Sequence, residues 1–162
     1  MKDNNIYVAL GESTDQYKNL IQSLPVAVYT CDKDGLIQIY NQAAVALWGR
    51  EPKEGKDRWC GSWKIFNLDG SEVPLDNCPM AVTLQSGNPV SGIEAFIERP
   101  NGERRFVQPY PQIIYDENGA ITGAINTLID ITEIRQPKNV LPTCRNPINH
   151  SSGKMKKLHY PN

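Results

Sequence analysis

Short β-rich runs separated by tight turns constrain this chain more than any other feature of its sequence. Residues 26–31 and 36–40 are rich in Val, Ile, Tyr and Thr and are joined by Asp32-Lys33-Asp34-Gly35. The glycine there supplies the positive φ that a tight hairpin turn needs. In the second half, Arg99-Pro100-Asn101-Gly102 and Asp116-Glu117-Asn118-Gly119 separate strand-like runs at 90–98, 103–115 and 120–131. The first of these sets Ile93, Ala95 and Ile97 against Glu94, Phe96 and Glu98, and the last places Ile121, Gly123, Ile125, Thr127, Ile129 and Ile131 on one side. Pro109 and Pro111 interrupt the middle run. They cannot donate to a ladder, so they predict a bulge or an open edge there.

Between the early and late strands the pattern is helical. Asn41 can cap a short helix over 42–48, which Gly49 ends in the left-handed conformation. Asp76 or Asn77 followed by Pro79 predicts a second start: a capping oxygen, then a proline whose missing N–H is not needed in the first turn. Met80 and Leu84 share a face of that helix, and Gly87 closes it. Residues 50–58 read as loop and short helical turns, and 59–66 as aromatic and partly extended, ending at Asn67-Leu68-Asp69-Gly70. Ahead of all this, Ser13, Thr14 and Asp15 offer capping oxygens to a helix in which Tyr17, Leu20, Ile21 and Leu24 form one apolar stripe, stopped by Pro25. Two strands, several short helices and three longer strands predict an α+β domain: an antiparallel sheet with helices gathered on one face.

Charge divides the chain. Residues 1–136 carry 18 acidic and 12 basic residues, a net −6, whereas 137–162 carry five basic residues and no acid, a net +5. The second segment also holds Pro137, Pro142, Pro147 and Pro161 and has no apolar period, so it reads as a disordered basic tail. Its charges are spread out and form no compact patch, which argues against nucleic-acid binding. The expected organisation is a lead-in over 1–12, a domain over 13–136 and the tail over 137–162. The longest apolar run, residues 43–48, is far short of the roughly 18 residues of a membrane span. No apolar segment follows a basic start at the N-terminus, so a cytoplasmic location is expected. Cys31, Cys60, Cys78 and Cys144 are scattered without a C-x-x-C pair, and His150 and His159 both lie in the tail, so reduced thiols are expected rather than a zinc site.

Leu24-Pro25-Val26-Ala27-Val28-Tyr29 with Asp32-Lys33-Asp34-Gly35 and Tyr40-Asn41 opens a longer ordered series. It continues through Gly61-Ser62-Trp63, Asp69-Gly70, Cys78-Pro79-Met80-Ala81 and Glu98-Arg99-Pro100-Asn101-Gly102. Gly123-Ala124-Ile125-Asn126, running into Asp130-Ile131-Thr132-Glu133, completes it. In order and spacing the series resembles the PAS domain, over about residues 14–135, and most of all the PAS modules that precede kinase or cyclase domains in bacterial sensors. The resemblance implies a five-stranded antiparallel sheet in spatial order 2-1-5-4-3, helices over one face and often a ligand cavity between them. It also implies a sensing role, with the signal leaving through Asp130, Ile131 and Thr132. Asp130 would hold the exit segment and Thr132 would cap an outgoing helix; the plainer alternative is that the three residues only end a strand.

A cysteinyl-flavin photoreceptor of this fold would carry an Asn-Cys-Arg-Phe-Leu-Gln stretch, which is absent. Proximal-histidine haem is argued against because both histidines lie in the tail, and the Cys78-Pro79 dipeptide is explained by the helix start. The cofactor stays unassigned. Trp48, Trp59 and Trp63 read first as core aromatics and second as a pocket wall; Trp48, Trp63, Met80, Leu84 and Asn126 are the pocket candidates. The chain contains no G-x-x-x-x-G-K-[ST], G-x-S-x-G or H-E-x-x-H, so no catalytic residue is assigned. The expected function is a sensory domain that binds a small ligand or a protein and relays the change. Homodimerisation through residues 13–24 and a kinase or cyclase effector in trans are the expected partners. The alternatives are a ligand-free dimerisation module and the input fragment of a truncated sensor histidine kinase.

Overall fold

The computed structural model describes residues 15–53 and 55–135, and the basic tail, Cys144 and both histidines lie outside them, as do Ser13 and Thr14. Among the described residues seven strands form one antiparallel sheet: β1 (Ala27–Asp32), β2 (Ile37–Tyr40), β3 (Lys64–Phe66), β4 (Glu72–Val73), β5 (Ala95–Glu98), β6 (Arg104–Tyr115) and β7 (Ile121–Asp130). Their spatial order is β2-β1-β7-β6-β5-β3-β4. Taken alone, β1, β2, β5, β6 and β7 have the expected 2-1-5-4-3 order. The count of five is corrected to seven because residues 64–66 pair with both β5 and residues 72–73, extending the sheet at one edge.

The helices are α1 (residues 15–23), α2 (Gln42–Trp48), α3 (Pro79–Ser86) and α4 (Thr132–Arg135), with a 3₁₀ turn at Leu75–Asn77. Asn41 caps α2 through its side chain and Gly49 ends it at φ +67°, as the sequence predicts. At α3 the cap differs: Cys78 holds the N-cap position without a side-chain bond, and Pro79 follows inside the helix. Asp76 is committed elsewhere, accepting the Trp59 indole N–H at 2.9 Å.

The helices α2 and α3 pack on the inner face of the sheet, α2 against β1 and α3 against β6 and β7. The core between them holds Ala27, Tyr29, Cys31, Leu47, Trp48, Met80, Leu84, Ala95, Ile97, Val107, Ala124 and Leu128. On β7 the inward residues are thus Ala124, Asn126 and Leu128, while Ile125, Thr127 and Ile129 of the expected apolar side face outward, Ile129 being 41% exposed. On β5, Phe96 is buried although it shares the outer side with Glu98. It stacks on Phe66 at 5.1 Å, and the Arg104 guanidinium lies 4.7 Å over its ring, so the outer face makes its own cover.

Pro109 and Pro111 sit in regular register opposite Leu128 and Asn126, and the bulge falls instead between Ile114 and Tyr115. The edge alternative explains the prolines, because β5 pairs only with residues 104–107 and leaves the far side of β6 without a strand partner beyond them. At the other end, Ala27 stands opposite Leu128, so the start of β1 and the end of β7 lie side by side.

Candidate functional site

Between the sheet and α3 lies a void of only about 20 Å³, lined by Tyr29, Cys60, Ser62, Cys78, Met80 and Asn126 among others. Alternation places Tyr29 inward on β1, and antiparallel register sets Asn126 of β7 directly opposite it. The connector after α2 brings in Cys60 and Ser62, whose Sγ and Oγ are 3.1 Å apart. Such a volume holds about one water molecule.

Three hydrogen bonds run through this region in series. The Tyr110 N–H of β6 donates to Asn126 Oδ1 at 3.0 Å, and Asn126 Nδ2 donates to the Tyr29 hydroxyl oxygen at 3.1 Å. The Tyr29 hydroxyl then donates to the Trp59 carbonyl at 2.8 Å. The amide of Asn126 is therefore oriented from both ends, and strands β6, β7 and β1 are tied to the connector.

The thiols here are held neutral. Burial pushes the Cys78 thiol up to about 12, and the neighbouring Cys60 adds to the effect. Burial likewise raises Cys31 and Cys60, and it raises the Tyr29 hydroxyl well above its ordinary range. A thiol must ionise to attack or to bind a metal well, so these groups serve as small apolar fillers at neutral pH. Among the described residues no group of three or more His, Cys, Asp and Glu is arranged to hold a metal ion.

The five pocket candidates separate. Met80 and Asn126 line the void. Trp48 is fully buried behind Tyr29, edge-on to it with ring centroids 5.1 Å apart, and Leu84 belongs to the same core, but neither lines the void. Trp63 is 55% exposed and belongs to neither pocket nor core. Tyr29, Cys60 and Ser62 are among the lining residues that sequence reasoning missed. The two-residue spacing groups Tyr29 with Ala27 and Cys31 on one strand face, but it does not tell which face is the inner one.

The exit segment is pinned to β6. The Ile131 N–H donates to the Phe106 carbonyl at 2.8 Å, and the Phe106 N–H donates to Thr132 Oγ1 at 2.9 Å. Asp130 Oδ1 accepts the Thr132 N–H at 2.9 Å and Asp130 Oδ2 lies 3.7 Å from Arg105. The Thr132 hydroxyl thus serves β6 rather than capping α4, because the free N–H of Phe106 is within its reach. The end of α4 is anchored in turn by the ion pair of Arg135 with Glu94.

The PAS domain family matches residues 25–133. Among solved structures, the PAS domain of an HTR-like protein from Haloarcula marismortui is 21% identical, with 79% of this chain and 99% of that chain covered and a TM-score of 0.53. The PAS domain of Bordetella pertussis BvgS is 22% identical, covering 76% and 90% with a TM-score of 0.52. A PAS domain from Colwellia psychrerythraea is 16% identical, covering 74% and 98% with a TM-score of 0.51. At these identities the likeness is one of fold. No curated protein matches the chain.

Proposed function

We propose that this chain, which belongs to the PAS domain family, is a sensory module that receives its signal through protein contacts, with its interior filled by its own side chains. The void of about 20 Å³ carries this reading. Pockets that bury organic ligands run from about 300 Å³ upward. Met80, Cys60, Cys78 and the Trp48–Tyr29 pair take up the space between sheet and helices.

The exposed apolar surface supports a contact role. Tyr17 and Leu20 on α1 are 65% and 60% exposed, and Leu24 just after it is 37% exposed. The outer sheet face offers Ile114 and Ile129 at 39% and 41%. A second copy laying residues 13–24 over that face would cover both. Movement of the sheet would then leave through Asp130, Ile131 and Thr132 to an effector, a kinase or cyclase acting in trans being the kind that suits a module of this family. Among the described residues no helix is long and apolar enough to cross a membrane.

Native mass spectrometry of the freshly purified protein tests the filled interior. The expected spectrum contains the polypeptide and its dimer alone. An organic molecule retained in stoichiometric amount and released on unfolding would overturn the reading.

A further inference from the structure

Trp59 has φ +66° and is the one non-glycine residue at positive φ among the described residues. The Cys60 N–H donates to the Arg58 carbonyl at 2.7 Å, which closes a three-residue ring around it. That combination is the γ-turn of positive φ, a rare and strained form. Strain of this kind persists only where the surroundings over-determine it. Here the Trp59 N–H donates to the Gly35 carbonyl at 2.8 Å and the indole N–H to Asp76 Oδ1 at 2.9 Å. Its ring presses on Gly35, where a Cβ would lie 2.3 Å from the ring. On the inner side the Trp59 carbonyl accepts the Tyr29 hydroxyl at 2.8 Å and the Cys31 thiol at 3.9 Å.

Two features make this more than a tight turn. The carbonyl of the strained residue is the terminus of the bonded series Tyr110–Asn126–Tyr29, and Asn126 lies on β7 four residues ahead of Asp130. On the outside the indole itself is fastened by one bond, to the exposed Asp76, while the strap's backbone is held by the Leu36–Arg58 bridge, by the Trp59 N–H on Gly35 and by Arg50 on the Gly61 carbonyl at 2.8 Å.

We propose that residues 58–62 form a two-state strap. Closed, it is as described above. Open, Trp59 relaxes to negative φ, its carbonyl leaves Tyr29, and the thiols of Cys31 and Cys60 become reachable from solvent. Opening removes the acceptor of the Tyr29 hydroxyl, frees the Asn126 amide and loosens β7 just before the exit segment. The strap therefore couples the connector, on one side of the domain, to Asp130–Thr132. This rests on the relay reading of the exit segment given above.

The test labels the whole chain with N-ethylmaleimide under native conditions, resolving each cysteine by peptide mass spectrometry, with hydrogen exchange measured in parallel. Asp76→Ala removes the indole's acceptor at an exposed position and leaves the core alone. Loss of one such bond is expected to speed Cys60 labelling roughly 5- to 30-fold. Exchange over residues 126–132 should rise with it, while the slowest β6 amides keep their wild-type rate. Tyr29→Phe, which removes only the hydroxyl, should have the same two effects. Cys60 labelling that is unchanged, or that rises only in step with the slowest β6 amides, overturns the strap. Faster labelling with wild-type exchange over 126–132 overturns its coupling to the exit. None of these readouts needs a partner, so a failed strap leaves the contact-sensing reading to its own test.

Discussion

The side-chain oxygen of Asn41 accepts the backbone N–H of Val28 at 3.1 Å, which ties the cap of α2 to the start of β1. The same oxygen accepts the Ala44 N–H at 2.9 Å, and the amide nitrogen faces the carbonyls of Ile21, Leu24 and Val26 at 3.1, 3.3 and 2.8 Å. One buried side chain therefore seats α1, β1 and α2 together. Asn41→Ala loses a helix cap and strands the buried Val28 N–H, so we expect a loss of about 2–4 kcal/mol in urea unfolding. Asn41→Asp keeps the acceptor but turns a carboxylate oxygen toward three carbonyls, and it should be no more stable than the alanine variant.

Close strand approach gives a second, sharper contrast. A Cβ on Gly123 would lie 2.2 Å from the Cys31 carbonyl oxygen, whereas one on Gly55 meets nothing within 4 Å. Gly123→Ala has to part β1 from β7 and is expected to cost at least about 2 kcal/mol. Gly55→Ala faces only its left-handed backbone, a cost of about 1 kcal/mol. Equal urea midpoints for the two variants would contradict the tight β1–β7 contact.

The buried thiols set an alkaline limit. Burial raises Cys78 from the ordinary 9.0 to about 12, and Cys31 and Cys60 are raised as well. Above pH 9 the unfolded chain releases thiol protons that the folded chain keeps, so unfolding is favoured as pH rises. Stability contributed by these groups is complete below about pH 9 and is lost between there and about pH 12. We expect a flat urea midpoint from pH 7 to 8.5, then a fall of up to about 1.4 kcal/mol per pH unit for each thiol. Cys78→Ala should flatten that fall, and an unaltered slope would count against the buried thiol.

The apolar stripe on α1 predicts association. Tyr17 and Leu20 are 65% and 60% exposed, so replacing both with Glu leaves the fold intact while charging the proposed interface. Light scattering should show a dimer for the natural chain and a monomer for Tyr17→Glu/Leu20→Glu, with matching circular dichroism. A dimer surviving in the variant would place the interface elsewhere.

Much of the fold was legible because the residues that start and stop its elements act locally. Asn41 begins α2 through its own side chain, Gly49 and Gly87 end helices through their own backbones, and the positive φ of Gly35, Gly102 and Gly119 turns the chain locally. What was illegible depends on tertiary contact. Strands of three and two residues, β3 and β4, are too short to show a period and exist because β5 lies beside them. Asp76 looked like a cap until Trp59 claimed it. The site was hardest to read, because β1 is buried on both faces and so shows no polar alternation to mark Tyr29 as inward. Nor does an aromatic identity distinguish Trp48, enclosed against Tyr29, from Trp63 in solvent.

The pairing of Ala27 with Leu128 has a mechanical consequence. Neighbouring strands are about 4.8 Å apart, so the chain comes into the sheet and leaves it through what amounts to one doorway. The segment that leads into β1 and the segment that follows β7 therefore meet the sheet side by side, the first steadied by Asn41 and the second by β6. A twist of that pair would turn both segments together, as a key turns both ends of a lock bar, and would carry β6 with it through the Phe106 bonds.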